Sequence, residues 1–170
     1  MLILNLNINK MEKKFINFRT PEGRGDIKVI NKFNKKFKFI DESYNANPLS
    51  MKSAINNISY YNKNKGSRKL VLLGDMLELG KKAKKLHRSL SKVINKSDID
   101  KVFVYGKHIK ETFNYLSINK KGKIFKNLKE ANDHFGKILH NNDLLMVKGS
   151  NATGLSQFSK NIKKGQTSAL

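Results

Sequence analysis

Cysteine is absent from the 170 residues, which excludes disulfides, thiolate zinc sites and a cysteine nucleophile. No apolar stretch approaches the roughly 18 residues that span a bilayer. The opening run Met1–Leu4 is apolar but too short for the core of a secretion signal, and Asn5 follows it. The expectation is a cytoplasmic protein without membrane contact. Acidic residues are scarce: 13 Asp and Glu stand against 35 Lys and Arg, a formal net charge of +22. Such charge suits polyanions, because lysines that neutralise phosphates release counterions. Yet the lysines run through the whole chain, many beside asparagines, and no RNP-like aromatic motif, zinc finger or basic zipper accompanies them. The pattern predicts nonspecific adhesion to polyanions at low salt rather than a dedicated nucleic-acid site.

What is present suffices for one domain. A hydrophobic content of 38% supports a packed core. From Lys38 onward, short apolar runs alternate with segments of helical period. Phe37–Ile40 reads as a strand. Asn47-Pro48 opens a helix, Asn as N-cap and Pro at the first helical position, with Met51, Ala54, Ile55 and Ile58 on one face. Lys69–Leu73 is a continuous apolar run ending at Gly74, as in a strand covered on both faces. Ala83, Leu86, Leu90 and Ile94 then mark a helix, Val102–Tyr105 a strand, and Ile109, Phe113 and Leu116 a weaker helix. A short strand at Lys123–Phe125 and a helix through Leu128, Ala131, Phe135 and Ile138 follow. Asp143–Val147 reads as the last strand, and Leu155, Phe158 and Ile162 mark the last helix. Tandem β-α units predict an α/β fold: a Rossmann-like parallel sheet with helices on both faces.

The first residues stand outside that rhythm. Leu2, Leu4, Leu6 and Ile8 alternate as in a strand, Met11, Phe15 and Phe18 follow as in a short helix, and Thr20–Gly25 is rich in turn residues. One strand and one helix cannot bury a core of their own. They are expected either to pack on the main domain as an appendage or to be a strand-helix remnant of a preceding domain.

Ligands of open α/β sheets bind outside the carboxyl ends of the strands. Three polar segments fall there: Asp41–Pro48, Gly74–Gly80 and Lys148–Asn151. The last leads into a helix N-terminus, where free N–H groups attract anions. Caps and turns alone would account for much of this composition. No G-x-G-x-x-G is present. The nearest approach to a P-loop, Gly74 to Gly80-Lys81, has one residue too many between its glycines and Lys82 where a hydroxyl should bind magnesium. This chain therefore lacks a phosphate-binding loop of its own.

Four segments together resemble the Mur ligases, specifically the MurF type: Ile40–Pro48 (D-[DE]-S-Y-N-A-N-P), Leu73–Gly80 (G-D-M-x-E-L-G) with Leu86-His87-Arg88 after it, Val147–Ser150 (V-K-G-S), and Gly23-Arg24-Gly25. They occur in the family's order across about residues 20 to 163. A related ligase of the same precursor reads D-Y-A-H-x-P where this chain has Ser43–Pro48, which speaks against that alternative. The resemblance implies the C-terminal domain of an ATP-dependent amide ligase of peptidoglycan precursor synthesis. It implies residues 1–24 as the remnant of a central domain with its linker, 25–166 as the Mur ligase C-terminal domain, and 167–170 as a tail.

In such a ligase, ATP and Mg2+ are held by a central domain and the UDP-MurNAc-peptide by an N-terminal one. Both are absent from this chain and are expected as partners. A carboxylate becomes an acyl phosphate, which the amine of D-alanyl-D-alanine attacks. The resemblance places no catalytic residue and no metal ligand in this chain. It implies nucleotide contacts at Arg24, Glu42, Tyr44 and Asn45. Contacts to the dipeptide acceptor are implied at Asn47, Asp75, Glu78, His87, Lys148 and Ser150. Each has a plainer reading: Arg24 a solvated linker residue, Tyr44 a core ring, Asn47 an N-cap and His87 a partly buried structural residue. Asp41 suits a strand-end cap or a ligand contact. Asp75 and Glu78 resemble a carboxylate pair, but the family uses that loop for shape and acceptor contacts. After Ser150 the sequence Asn151–Ser156 departs from the basic residue, Met and Glu usual in the family. The chain alone is expected to be inactive, the alternatives being a non-catalytic binding module, a decayed fragment or a basic nucleic-acid-binding protein.

Overall fold

The structure, a computed structural model, describes residues 21–61, 66–164 and 166–168. The expected strand and helix before Thr20 lie outside the described residues. The chain opens with a hairpin of β1 (Asp26–Lys32) and β2 (Lys35–Glu42), turned at Phe33 and Asn34, both at φ +57°. Two successive positive φ angles match the twist that a two-residue hairpin requires. There follow α1 (Pro48–Asn57), β3 (Lys69–Gly74), α2 (Ala83–Lys96), β4 (Lys101–Tyr105) and α3 (Lys110–Asn114). The chain then forms β5 (Lys121–Phe125), α4 (Leu128–Ile138), β6 (Leu144–Lys148), α5 (Leu155–Lys163) and β7 (Gln166–Ser168).

The seven-stranded sheet has the order β5-β4-β3-β6-β2-β1-β7. Strands β2 to β6 run parallel, as expected, while β1 pairs antiparallel with both β2 and β7. The sheet is therefore mixed at one edge. Sequence reading misses β1, whose hairpin turn is Phe-Asn rather than a glycine turn. It misses β7 too: Thr167 and Ser168, expected in a tail, pair with Ile30 and Val29, and three residues are too few to show a period.

Alternation divides the core. Val71, Leu73, Val102, Val104 and Met146 face one side, where α1 and α2 bury Met51, Ile55, Leu90 and Ile94, and Ile109 packs just before α3. Leu70, Leu72, Phe103, Leu145 and Val147 face the other, against Phe135 of α4 and Leu155, Phe158 and Ile162 of α5. All of β3 and β6 is buried, which explains their unbroken apolar runs. The crossover helices after β2 and β3 thus cover one face and the helix after β6 the other. Connections leaving neighbouring strands toward opposite faces open a crevice at their carboxyl ends, here between β2, β6 and β3.

Candidate functional site

The crevice is lined by the segments after β2, β3 and β6. The first is braced from below by the loop that precedes β1. Gly25 N–H donates to the Asp41 carbonyl (2.8 Å) and Tyr44 N–H to the Gly23 carbonyl (3.1 Å). Gly23 holds φ +75° with its Cα against Tyr44, where a Cβ would come within 3.0 Å of both Tyr44 N and Cβ. Only glycine fits so close an approach at that angle. The loop lays Arg24 across Tyr44, the guanidinium carbon 4.3 Å from the ring centroid. Both side chains are exposed, Tyr44 at 49%. Two residues expected at the nucleotide therefore meet, and Tyr44 is a surface ring, not a core one.

Glu42 and Lys148 were expected on different ligands, yet they form one ion pair. Lys148 Nζ lies 3.1 Å from Glu42 Oε2 and donates to the Asn45 carbonyl at 3.0 Å. The Lys148 side chain is 3% exposed and that of Glu42 25%, so the lysine works beneath the loop while the carboxylate reaches its surface. The other Glu42 oxygen sits over Gly25, 3.1 Å from where a Cβ would stand. Tyr61, unremarked in the sequence, lies close by: burial and the Glu42 carboxylate push its phenol above the usual range. Asn45 Oδ1 accepts from Ala46 N–H, and Asn47 is the N-cap of α1 in a reciprocal box with Ser50. Asp41 is a strand-end cap: its Oδ1 accepts from Ser43 N–H and Oγ, and Oδ2 lies 2.7 Å from Lys163 Nζ.

The second segment is held from within. Asp75 accepts three backbone N–H groups, those of Lys107, His108 and Ile109 at 2.7–2.9 Å, tying the loop after β4 to the loop after β3. With its acceptors directed there and 7% exposure, it braces the site rather than facing it. His87 differs most from expectation. It is fully buried, with Nδ1 2.7 Å from the Ala83 carbonyl and Nε2 accepting from Met76 N–H at 2.9 Å. Those partners fix the tautomer with its proton on Nδ1. Burial, the largest influence, holds its pKa below the usual histidine value, against the opposing pull of the Ala83 carbonyl and of Asp75. Neither ring nitrogen is left for an acceptor substrate. Glu78 is exposed at φ +62°, a backbone conformation uncommon outside glycine.

Ser150 links the second and third segments: its hydroxyl accepts from Leu77 N–H (3.1 Å) and contacts the Ala46 carbonyl (3.4 Å). Beside Tyr44 lies a recess of about 360 Å³, lined by Gly23, Ser43, Asn151, Lys160 and Lys163 among others. Its two lysines come from the far end of α5, where a lysine-rich sequence gives no sign of them. Outward-facing polar groups thus gather around Arg24, Tyr44, Glu42, Asn45 and Asn47, on a base of satisfied hydrogen bonds. The described residues bring no three His, Cys, Asp or Glu side chains into a metal-binding group, and none of their helices is long and apolar enough to cross a membrane.

Comparison with known proteins gives the chain's family. Residues 27–151 match the family model described as the Mur ligase, glutamate ligase domain. The chain is 31% identical over 155 residues to the UDP-N-acetylmuramoyl-tripeptide–D-alanyl-D-alanine ligase of Rickettsia prowazekii, covering 91% of this chain and 33% of that one. It is 44% identical over 71 residues to the enzyme of the same name from Bacillus subtilis, covering 40% of this chain and 14% of that one. Among solved structures, MurF from Acinetobacter baumannii superposes with a TM-score of 0.75 at 20% identity, over 95% of this chain and 35% of the other. MurF from Thermotoga maritima in complex with ADP gives 0.66 at 21% identity, over 87% and 33%. The chain spans about a third of the length of these relatives, or less.

Proposed function

The chain belongs to the Mur ligase family, and from that membership we propose that it serves as the C-terminal domain of an ATP-dependent ligase adding D-alanyl-D-alanine to a UDP-MurNAc-peptide. The observation that carries this reading is the Arg24–Tyr44 stack beside Glu42 at the carboxyl ends of β2 and β6. An exposed guanidinium laid on an aromatic face is a preset, permanently charged fork for phosphate oxygens. Glu42 would accept a hydrogen bond from the nucleotide, oriented by Lys148 beneath it. Asn45 and Asn47 keep carboxamide groups at the surface, able to donate and accept toward a ribose or a zwitterionic dipeptide. Asp75, His87 and Ser150 would act at one remove, fixing the loop Gly74–Gly80 whose exposed Glu78 faces the acceptor. Phosphate binding and the magnesium ligands belong, on this reading, to a central domain outside this chain.

The chemistry asked of this domain is placement. The dipeptide amine attacks the acyl phosphate carbonyl, the amide bond forms, and phosphate departs with the broken C–O bond. Aligning the reactants and excluding water can lower such a barrier by several kcal/mol. The test is phosphate release from magnesium-ATP in the presence of UDP-MurNAc-tripeptide and D-alanyl-D-alanine. It is run with the chain alone and with separately made N-terminal and central domains of a MurF-type ligase. Release that needs both the dipeptide and the added domains is expected. Arg24→Ala should then lower turnover at least tenfold, about 1.4 kcal/mol, with an unchanged melting temperature. Release by the chain alone, or none in the reconstituted mixture of folded parts, overturns the proposal.

A further inference from the structure

The lysines are less evenly spread in space than in sequence. Between Gly80 and Ser97 every ionisable side chain except the buried His87 is a cation. Because α2 turns Leu90, Ser91 and Ile94 into the core, Lys81, Lys84, Lys85, Arg88 and Lys92 share its outer face, where their stems border a recess of about 640 Å³. Lys92 also borders a second recess of about 450 Å³, shared with Lys96 at the end of α2 and with Asn56 and Tyr60 around the end of α1. Sharing Lys92, the two recesses make a furrow along the helix, about 22 Å from Lys81 to Lys96 at 1.5 Å per residue. Among the described residues, Glu111 is the only carboxylate paired along it, 3.5 Å from Lys84 and 3.9 Å from Arg88.

Aromatic faces flank the furrow. Tyr60 is 84% exposed at one end. Across the helix, Arg88 lies over Tyr115, its guanidinium carbon 3.9 Å from the ring centroid, with Tyr115 itself 48% exposed. A cationic track beside exposed rings is the physical requirement for gripping an unpaired strand, phosphates on the cations and bases against the rings. A membrane surface fits less well: the apolar side of α2 is already spent on the core, and the cations line a furrow rather than a plane.

We infer that α2, with the turn before it, is a binding surface for single-stranded nucleic acid, distinct from the site at the strand ends. The test is fluorescence anisotropy of a short labelled oligouridine with the full chain. It compares K81E/K85E/K92E with K126E/K129E/K137E, which changes the charge equally around α4 on the opposite face. The furrow variant is expected to bind at least tenfold more weakly and the α4 variant less than threefold. Loss of three phosphate contacts should also flatten the slope of log affinity against log salt by about 2. Lys81, Lys85 and Lys92 replaced together by Gln serves as a milder version should the charge reversals unfold the helix. Tyr60→Ala should cost about fivefold or more. Equal losses in both triple variants would assign the binding to overall charge and overturn the inference. So would equal affinity for a duplex of the same length, or preferential binding of anionic phospholipid vesicles that the furrow variant loses.

Discussion

At the scale of single residues, burial separates braces from contacts. His87 and Arg24 were both candidates for ligand binding, and the sequence leaves a structural reading open for each. The structure does: His87 spends both ring nitrogens on Met76 and Ala83, whereas Arg24 spends only its ring-facing side on Tyr44. The signal was out of reach because the partner of Nε2 is a backbone N–H eleven residues away, visible only after the loop folds. A pH prediction follows. With its pKa held low by burial, the histidine contributes fully where it is neutral in both folded and unfolded chains. That contribution is present above the unfolded value of about 6.5 and is lost as pH falls from there toward the folded value. Protonation would set an N–H against the Met76 N–H. His134, also held low, by burial and then by Lys123, adds a slope of the same sign. The melting temperature should therefore drop as the pH is lowered below about 6.5. In His87→Gln, thermal melts over that range should drop less steeply; an unaltered slope would mean the ring titrates elsewhere.

At the scale of elements, what was legible had a period. β3 and β6 declared themselves as continuous apolar runs because helices cover both of their faces, and α1 through Asn47-Pro48 and its buried stripe. β1 stayed hidden, since it lies near the sheet edge and its turn lacks glycine. The joints were not legible either. Gly149 and Gly74 bring the ends of β6 and β3 together under Leu155: a Cβ on Gly149 would stand 2.7 Å from Leu155 Cδ1 and 3.1 Å from Gly74 Cα. Gly149→Ala is expected to cost about 1–3 kcal/mol. Denaturant titration should show a smaller cost in a Leu155→Ala background, where the obstructing methyl is gone; an equal cost would place the strain in the backbone. Asn47 offers a cleaner separation of roles. Asn47→Ala should lose about 1 kcal/mol as a missing cap. Asn47→Asp should keep the cap, yet raise KM for the dipeptide in the reconstituted ligase if the carboxamide touches it. Unchanged KM would leave Asn47 a cap alone.

At the scale of the whole molecule, the two ends of the sheet do different work. Near the amino ends of β3 and β6, Asp143 is fully buried and accepts from the Arg68 backbone, Nε and terminal nitrogen, fastening the strands. The carboxyl ends carry the polar loops. Strand order, and hence which loops meet, follows from the return of β6 between β3 and β2, a pairing no local pattern encodes. Net charge acts on the whole as well. At +22 the folded chain repels itself, and salt screens exposed charges over about 8 Å at physiological ionic strength. The melting temperature should rise from low salt to about 0.15 M; a fall would show that attractive surface pairs outweigh the repulsion.

The pinned loop at Gly23–Gly25 has a mechanical meaning. Fastened to Asp41 and Tyr44, it makes Arg24 part of this rigid body, so any movement of the sheet carries Arg24 along. The arginine would then arrive with the sheet, as a tooth arrives with its wheel. For anyone dividing such a ligase into separately expressed halves, the cut belongs before Pro21. One made after Gly25 would hand the tooth to the wrong half and leave the Asp41 carbonyl and the Tyr44 amide without their partners.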